Sequence, residues 1–316
     1  MTATTTRADW LLFILLGFLW GSSFLFIKIG VEAGLPPFTL VMLRLLIGFG
    51  LLAIVVAAAR ERLPRGVRIY GHLFVMGAIN VALPFTLITF AEQHVDSTLT
   101  SVLNAAVPIF VIPIGALFLR DEPLSPGRLI GVLLGFVGVA LLVGFDPAAT
   151  AGVDLVAALA IIAATISYAA GAVYARRNVR GLRPMIPALF QVGFGLLITS
   201  VLAFVVERPF TLTLEPAAFL AVLWLGLLGS GVAYLVFFGL LARRGAAGTA
   251  VVAYLLPIFG VTLGVLVLGE PLDPRLLLGL GLIVGGIALV NSRIGVGPFR
   301  PRPLPSPASG VAGDAN

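Results

Sequence analysis

Apolar runs of about 20 residues recur from end to end of this 316-residue chain, and as α-helix that length crosses a hydrocarbon core ~30 Å thick. Ten can be delimited, at residues 10-30, 37-59, 70-91, 97-119, 126-145, 154-175, 184-206, 216-241, 247-268 and 274-292. Lipid offers no partner to a backbone N–H or C=O, so segments of this kind satisfy themselves as helices. Composition agrees: 59% of residues are hydrophobic and 11% charged, whereas a soluble domain carries about a quarter charged residues. The first run continues past Trp20 without a small-residue cleavage site and is read as a retained helix rather than a removed leader. The sequence therefore predicts an all-α polytopic membrane protein with ten transmembrane helices.

The formal charge of +6 invites a nucleic-acid reading, which the placement of the basic residues removes. Arg7, Arg60, Arg62, Arg65, Arg68, Arg120, Arg128, Arg176, Arg177, Arg180, Arg183, Arg243, Arg244, Arg293, Arg300 and Arg302 fall in alternate loops and at the termini on one side. Only Arg208 and Arg275 lie in the loops of the other. Such a bias places the arginine-rich side, and with it both termini, in the cytoplasm of a cell-membrane protein. No nucleic acid is expected as a partner; the lipid bilayer and a small-molecule substrate are, with the chain a monomer or homodimer. Cysteine is absent, so disulfides and thiolate metal sites are excluded, and neither a metal nor a cofactor is expected. Residues 1-9 form a short cytoplasmic N-terminus, and 293-316, rich in Pro, Gly, Ser and Ala, read as a disordered cytoplasmic tail.

One phrase is written twice. FLRDEPLSP at 118-126 returns as VLGEPLDP at 267-274, so that Glu122-Pro123-Leu124 falls on Glu270-Pro271-Leu272. The same offset carries Pro126 onto Pro274, Gly131 onto Gly279, Gly138 onto Gly286, Trp20 onto Tyr168 and Lys28 onto Arg176. The chain is thus two copies of a five-helix unit, 10-145 and 154-292. Five is odd, so the second copy enters the membrane from the opposite face, an inverted-topology repeat. In the phrase itself Pro123 and Pro271 end a helix, Ser125 and Asp273 cap the next, and Pro126 and Pro274 occupy its first turn. Glu122 and Glu270 oppose the macrodipole of the helix they follow, so each is expected to lean toward the next helix N-terminus or a nearby Arg, as a structural or gate-adjacent turn residue.

WGSSFLFIK at 20-28, PIF at 108-110 with LRDEPLSP after it, and PIF at 257-259 with LGEPLDP after it resemble the drug/metabolite transporter superfamily, in particular its EamA-type ten-helix members. The resemblance covers about residues 10 to 292. It implies a carrier of amino acids, other small metabolites or toxic compounds, with a cavity between the repeats and flow often outward. The LGE of the second copy is replaced in the first by Leu119-Arg120-Asp121-Glu122, one residue longer.

At membrane depth the chain is sparsely polar. Arg44 lies seven residues beyond Pro37, about 10 Å below the surface. Its guanidinium can hold a substrate carboxylate by paired hydrogen bonds, pair with Glu32, Glu92 or Asp96, or snorkel upward. Trp20 falls near the middle of the first span, where packing and cavity lining are both open, and Tyr168 matches it in the second copy. Pro84, Pro108 and Pro257 interrupt helices, and the first two free the carbonyls of Asn80 and Asn104. Broken helices with polar side chains mark transporter binding sites, although an Asn can also merely patch a kink. Gln191 and Tyr254 complete the substrate-binding candidates. Glycines four residues apart (Gly17/Gly21, Gly131/Gly135, Gly260/Gly264, Gly281/Gly285) are read as helix-packing positions.

These features point to a secondary transporter of small metabolites, amino acids or related organic compounds, working by alternating access in export or exchange. An intramembrane enzyme is the alternative. It finds no support in His72 and His94, which fall near opposite faces, nor in any HExxH or GxSxG motif. A channel or structural membrane subunit is the other alternative. The only lysine, Lys28, is in no phosphate-binding loop, so the chain brings no ATP site. Every carboxylate falls near a helix end or in a loop, which predicts facilitative exchange or weak dependence on a proton gradient.

Overall fold

The computed structural model describes residues 7–119, 126–143, 154–179, 181–209, 215–249 and 252–291, which contain helices and no β-strand. The first repeat comprises α1 (Arg7–Glu32), α2 (Pro37–Ala58), α3 (Val67–Gly77), α4 (Leu83–Ala91), α5 (Ser97–Asn104), α6 (Val107–Phe118) and α7 (Pro126–Val143). The second comprises α8 (Leu155–Asn178), α9 (Met185–Leu202), α10 (Pro216–Trp224), α11 (Ala233–Thr249), α12 (Val252–Leu268) and α13 (Pro274–Asn291). A π-helical segment, Ala78–Ala82, joins α3 to α4; another, Leu225–Val232, joins α10 to α11; a third, Ala203–Glu207, extends α9. End to end, these pieces make eight runs long and apolar enough to cross a membrane, with α12 and α13 as two shorter apolar helices. The protein is a ten-span, all-α membrane protein built from two inverted five-helix repeats.

Contacts between the repeats obey a two-fold relation. The first helix of one copy packs on the fourth of the other (α1 on α12, α8 on α5 and α6), the second on the third (α2 on the 225–232 segment, α9 on α3), and the second on the second (α2 on α9). The fifth helices, α7 and α13, cross at glycines. A Cβ on Gly131 would lie 2.6 Å from the Gly286 carbonyl oxygen, and one on Gly138 would lie 2.9 Å from that of Gly279. Since Gly131 corresponds to Gly279 and Gly138 to Gly286, each contact is the symmetry image of the other. Direct backbone approach of this kind drives helix association in lipid, where apolar burial alone gives no preference. Gly17 and Gly21 likewise receive Leu255 and Phe259 of α12, but Gly281 faces open space.

Two sequence expectations are corrected. The boundary between the eighth and ninth spans lies later than predicted, because α11 continues to Thr249 through a stretch without proline. Pro257 breaks nothing: α12 runs through it to Leu268, with the ring buried. Pro84 and Pro108 instead sit in the first turns of α4 and α6, where a missing N–H is least costly. The interruptions fall just before them, as the π-helical turn 78–82 and the break at Ala105 and Ala106.

Candidate functional site

Arg44 is buried at the seam between the repeats, 3% exposed. Its Nε donates to Ser230 Oγ at 3.2 Å, within the π-helical segment near the middle of the eighth span. The guanidinium carbon lies 4.2 Å from the Phe85 ring centroid, a cation–π geometry. Tyr168, Tyr234 and Glu92 are the titratable groups within its electrostatic reach. Among the described residues no carboxylate forms an ion pair with it, so pairing with Glu32, Glu92 or Asp96 is not what the fold uses. Its charge is held in place by a hydroxyl and a ring, and is not neutralised.

Aromatic surface surrounds this cation. Tyr168 meets Phe85 edge-on at 6.4 Å, and half-buried Trp20 meets Tyr234 at 6.2 Å and Phe237 at 5.3 Å. Asn80 and Gln191 come together: Asn80 Nδ2 donates to Gln191 Oε1 at 3.0 Å, joining the first repeat's π-helical turn to α9. Ser167 Oγ donates to the Ile79 carbonyl across the same junction at 2.5 Å, so the irregular backbone is served from the other repeat. The π turns widen the helix locally and re-aim side chains, a usual association with functional sites.

Not every candidate joins this group. Asn104 is buried with its side-chain oxygen unpartnered among the described residues, at the break between α5 and α6. Tyr254 packs on a separate apolar cluster built around Ile109 and Ile283. Glu122 lies outside the described residues.

Glu270 is used differently from the sequence expectation. Among the described residues it bonds neither the following helix nor an arginine, but the start of α5 in the other repeat: the Ser97 and Thr98 N–H groups donate to its two oxygens at 2.8 Å each. Asp273 is the residue that accepts from the first turn of α13, through Arg275 N–H at 2.8 Å. The LGE sequence explains the reach. Gly269 has φ +69, the left-handed region glycine tolerates, and swings Glu270 back so that its N–H meets the Gly264 carbonyl. Gly264 leaves room for the carboxylate, since a Cβ there would come within 2.5 Å of Glu270 Oε2. A second cap went unanticipated: Glu207, ending the seventh span, accepts from Phe38 N–H (2.9 Å), Thr39 N–H (2.7 Å) and Thr39 Oγ1–H (2.8 Å) at the start of α2. Both carboxylates join the second repeat to the first at the same end of the bundle.

At the opposite end the repeats meet through Glu61 and Arg183, 3.0 Å apart, with the arginine 76% exposed. A basin of about 440 Å³ opens there, lined by Arg60, Glu61, Arg62 and Arg183 among others. It is remote from Arg44, and its arginines are those that set the topology bias.

Ser230, Phe85 and Tyr234 were absent from the sequence reading, and Glu207 entered it only as one of the carboxylates near helix ends. The one available signal was the small, polar-interrupted run GLLGSG at 226–231 in an otherwise bulky span.

Comparison with known proteins matches the EamA-like transporter family twice, at residues 9–144 and 155–292. An uncharacterized inner membrane transporter of Escherichia coli K12, YedA, is 29% identical over 92% of this chain and 92% of its own length. The uncharacterized transporter YvbV of Bacillus subtilis is 27% identical over 90% and 91%. A crystal structure of another protein shares the fold with TM-score 0.62 and 22% identity, covering 92% of this chain and 99% of that one. With both halves matched, and with a two-fold set of helix contacts between them, the chain belongs to the EamA-like transporter family.

Proposed function

We propose that this transporter carries small metabolites bearing a carboxylate, amino acids or organic acids, by alternating access between its two repeats, in export or exchange. The observation that carries the reading is Arg44: a buried guanidinium without a carboxylate partner among the described residues, at the repeat seam and beside aromatic rings. A planar fork of N–H donors recognises a carboxylate bidentately, and an ammonium-bearing solute finds faces of Phe85, Tyr168 and Trp20 nearby. A catalytic reading gains nothing here, because the group offers neither a nucleophile beside a base nor paired acids. Purified protein in liposomes is expected to show saturable uptake of labelled amino or organic acids, stimulated by the same solute inside. Non-saturating flux would identify a channel, and silence across such a panel a subunit of something larger.

Arginine distribution orients the molecule with both termini inside, and the Glu92, Glu207 and Glu270 end outside. In this cysteine-free chain, single cysteines at Ser125 and Asp273 are expected to react with an impermeant reagent from opposite sides. Labelling of both from one side would contradict the orientation and the inversion together.

A further inference from the structure

We propose that Glu92 is a proton-binding site that ties opening of the outer end to external pH, an inference resting on the alternating-access reading above. Glu92 immediately follows α4, outside the span Val67–Ala91, yet it is 0% exposed and neither carboxylate oxygen has a hydrogen-bond partner among the described residues. The nearby cation does not serve it. Lys28 Nζ donates to the backbone oxygens of Glu92 (3.0 Å) and Val95 (3.1 Å) and lies 3.5 Å from Glu32 Oε1. Two of the three N–H bonds of the ammonium thus go to backbone carbonyls, and its charge faces Glu32.

An ionised carboxylate left unpartnered in such a place either takes up a proton or drives the site open to water. Burial, with Glu270 adding to it and Lys28 opposing it, holds the Glu92 carboxyl well above the usual carboxylate range. The remaining charges around it are Arg44 from α2 and Glu32 from α1. Asp96, at the start of α5, is itself raised, chiefly by burial and then by Glu270. The helix packed on α4, α8, brings Tyr168 and, at its start, Asp154, which lies 3.7 Å from His94.

Glu92 sits behind the seam that Glu270 fastens a little further along the chain, at Ser97 and Thr98. Closed, the site keeps the proton on the carboxyl oxygen. Opening hydrates the carboxylate, returns its pKa toward the ordinary 4.5, and passes the proton to external water. The sign follows from the pKa being higher in the closed form. Closure is favoured in full below about pH 4.5 and loses that advantage as pH climbs toward the raised closed-state value. External acid holds the outer end shut and alkali releases it. The proton enters and leaves by the same face, so no net proton crosses, in keeping with weak dependence on a proton gradient.

The test uses the full chain in liposomes with Ser97→Cys as sole cysteine, a position 0% exposed whose own hydroxyl has no partner among the described residues. Labelling by an impermeant reagent, corrected for thiolate fraction, is expected to rise about tenfold or more between external pH 5.5 and 8.5, well within the ceiling of about tenfold per pH unit that a single titrating site allows. With Glu92→Gln it should stay at the acid level at every pH, and with Glu92→Asp it should keep a pH dependence. Internal pH should have no effect. An unchanged pH profile in Glu92→Gln, or a profile reproduced at fixed pH by sodium ions, overturns the proposal. Infrared difference spectra of the natural chain, needing no cysteine, should show a protonated carboxyl stretch that Glu92→Gln removes; its absence also overturns it. Failure of substrate exchange with the infrared band intact would instead indict the transport reading.

Discussion

Arg44→Gln is expected to reduce transport of carboxylate-bearing solutes by about 10- to 150-fold, the equivalent of the roughly 1.5 to 3 kcal/mol carried by one charge-assisted hydrogen-bond partner. The structure sharpens why the effect should be selective. Ser230 and Phe85 hold the guanidinium from two sides, but neither supplies a negative charge. The positive charge is thus available to a ligand, and Gln removes it while keeping a polar group on a shorter side chain. Arg44→Lys preserves charge but loses both the bidentate fork and the planar stacking on Phe85, so it should rescue only in part. Uptake should be compared for acidic, zwitterionic and cationic solutes in correctly inserted protein. Cationic solutes should be affected least, because the variant removes a repulsion. Equal loss for every solute, or activity restored by also removing Glu32, Glu92 or Asp96, would make Arg44 a structural member of a charge network and not a ligand.

Much of the architecture was legible because its causes are local. A 20-residue apolar run needs no partner to be recognised, and the twice-written EPL phrase exposes the repeat, from which inversion follows by counting. What stayed hidden depends on pairs distant in sequence. Ser230 is 186 residues from Arg44, and Glu270 is 173 from Ser97, so no spacing rule connects them. The π turns have no residue signature of their own; proline marked their neighbourhood at Pro84, but the same residue left α12 unbroken at Pro257. Glu92 was read as one more carboxylate at a helix end. That inference treats helix ends as wet, and it fails where Lys28 of α1 and the Glu270 turn close over the end. Asn80 and Gln191, both chosen singly for their polarity at depth, proved to be partners. Tyr254 was chosen on the same ground, and it lies in another cluster because periodicity gives a helix face only relative to unknown neighbours.

Removing the two outer carboxylate caps together should open that end of the bundle. Glu270 takes two backbone N–H groups in a buried site, and Glu207 takes two N–H groups and a hydroxyl in a half-buried one. Hydrogen bonds to charged groups contribute about 1.5 to 3 kcal/mol each when desolvated and less where water competes, so a single cap stabilises closure by a few kcal/mol. The other end has the Glu61–Arg183 pair, whose arginine is exposed, and a pair open to water on one side contributes about 1 kcal/mol. This imbalance favours the conformation seen, fastened at the Glu207 and Glu270 end and lightly tied at the Glu61 and Arg183 end. Glu270→Ala should therefore raise outer-face labelling of a cysteine at Ser97 by roughly 100-fold, on the scale of about 3 kcal/mol. Adding Glu207→Ala should raise it further, since the caps share no residue. Glu61→Ala should change outer labelling by less than about fivefold. Melting temperature read on the same variants separates the alternatives: a lowered melting point without increased outer labelling would mean that the caps hold the helices together but do not govern access.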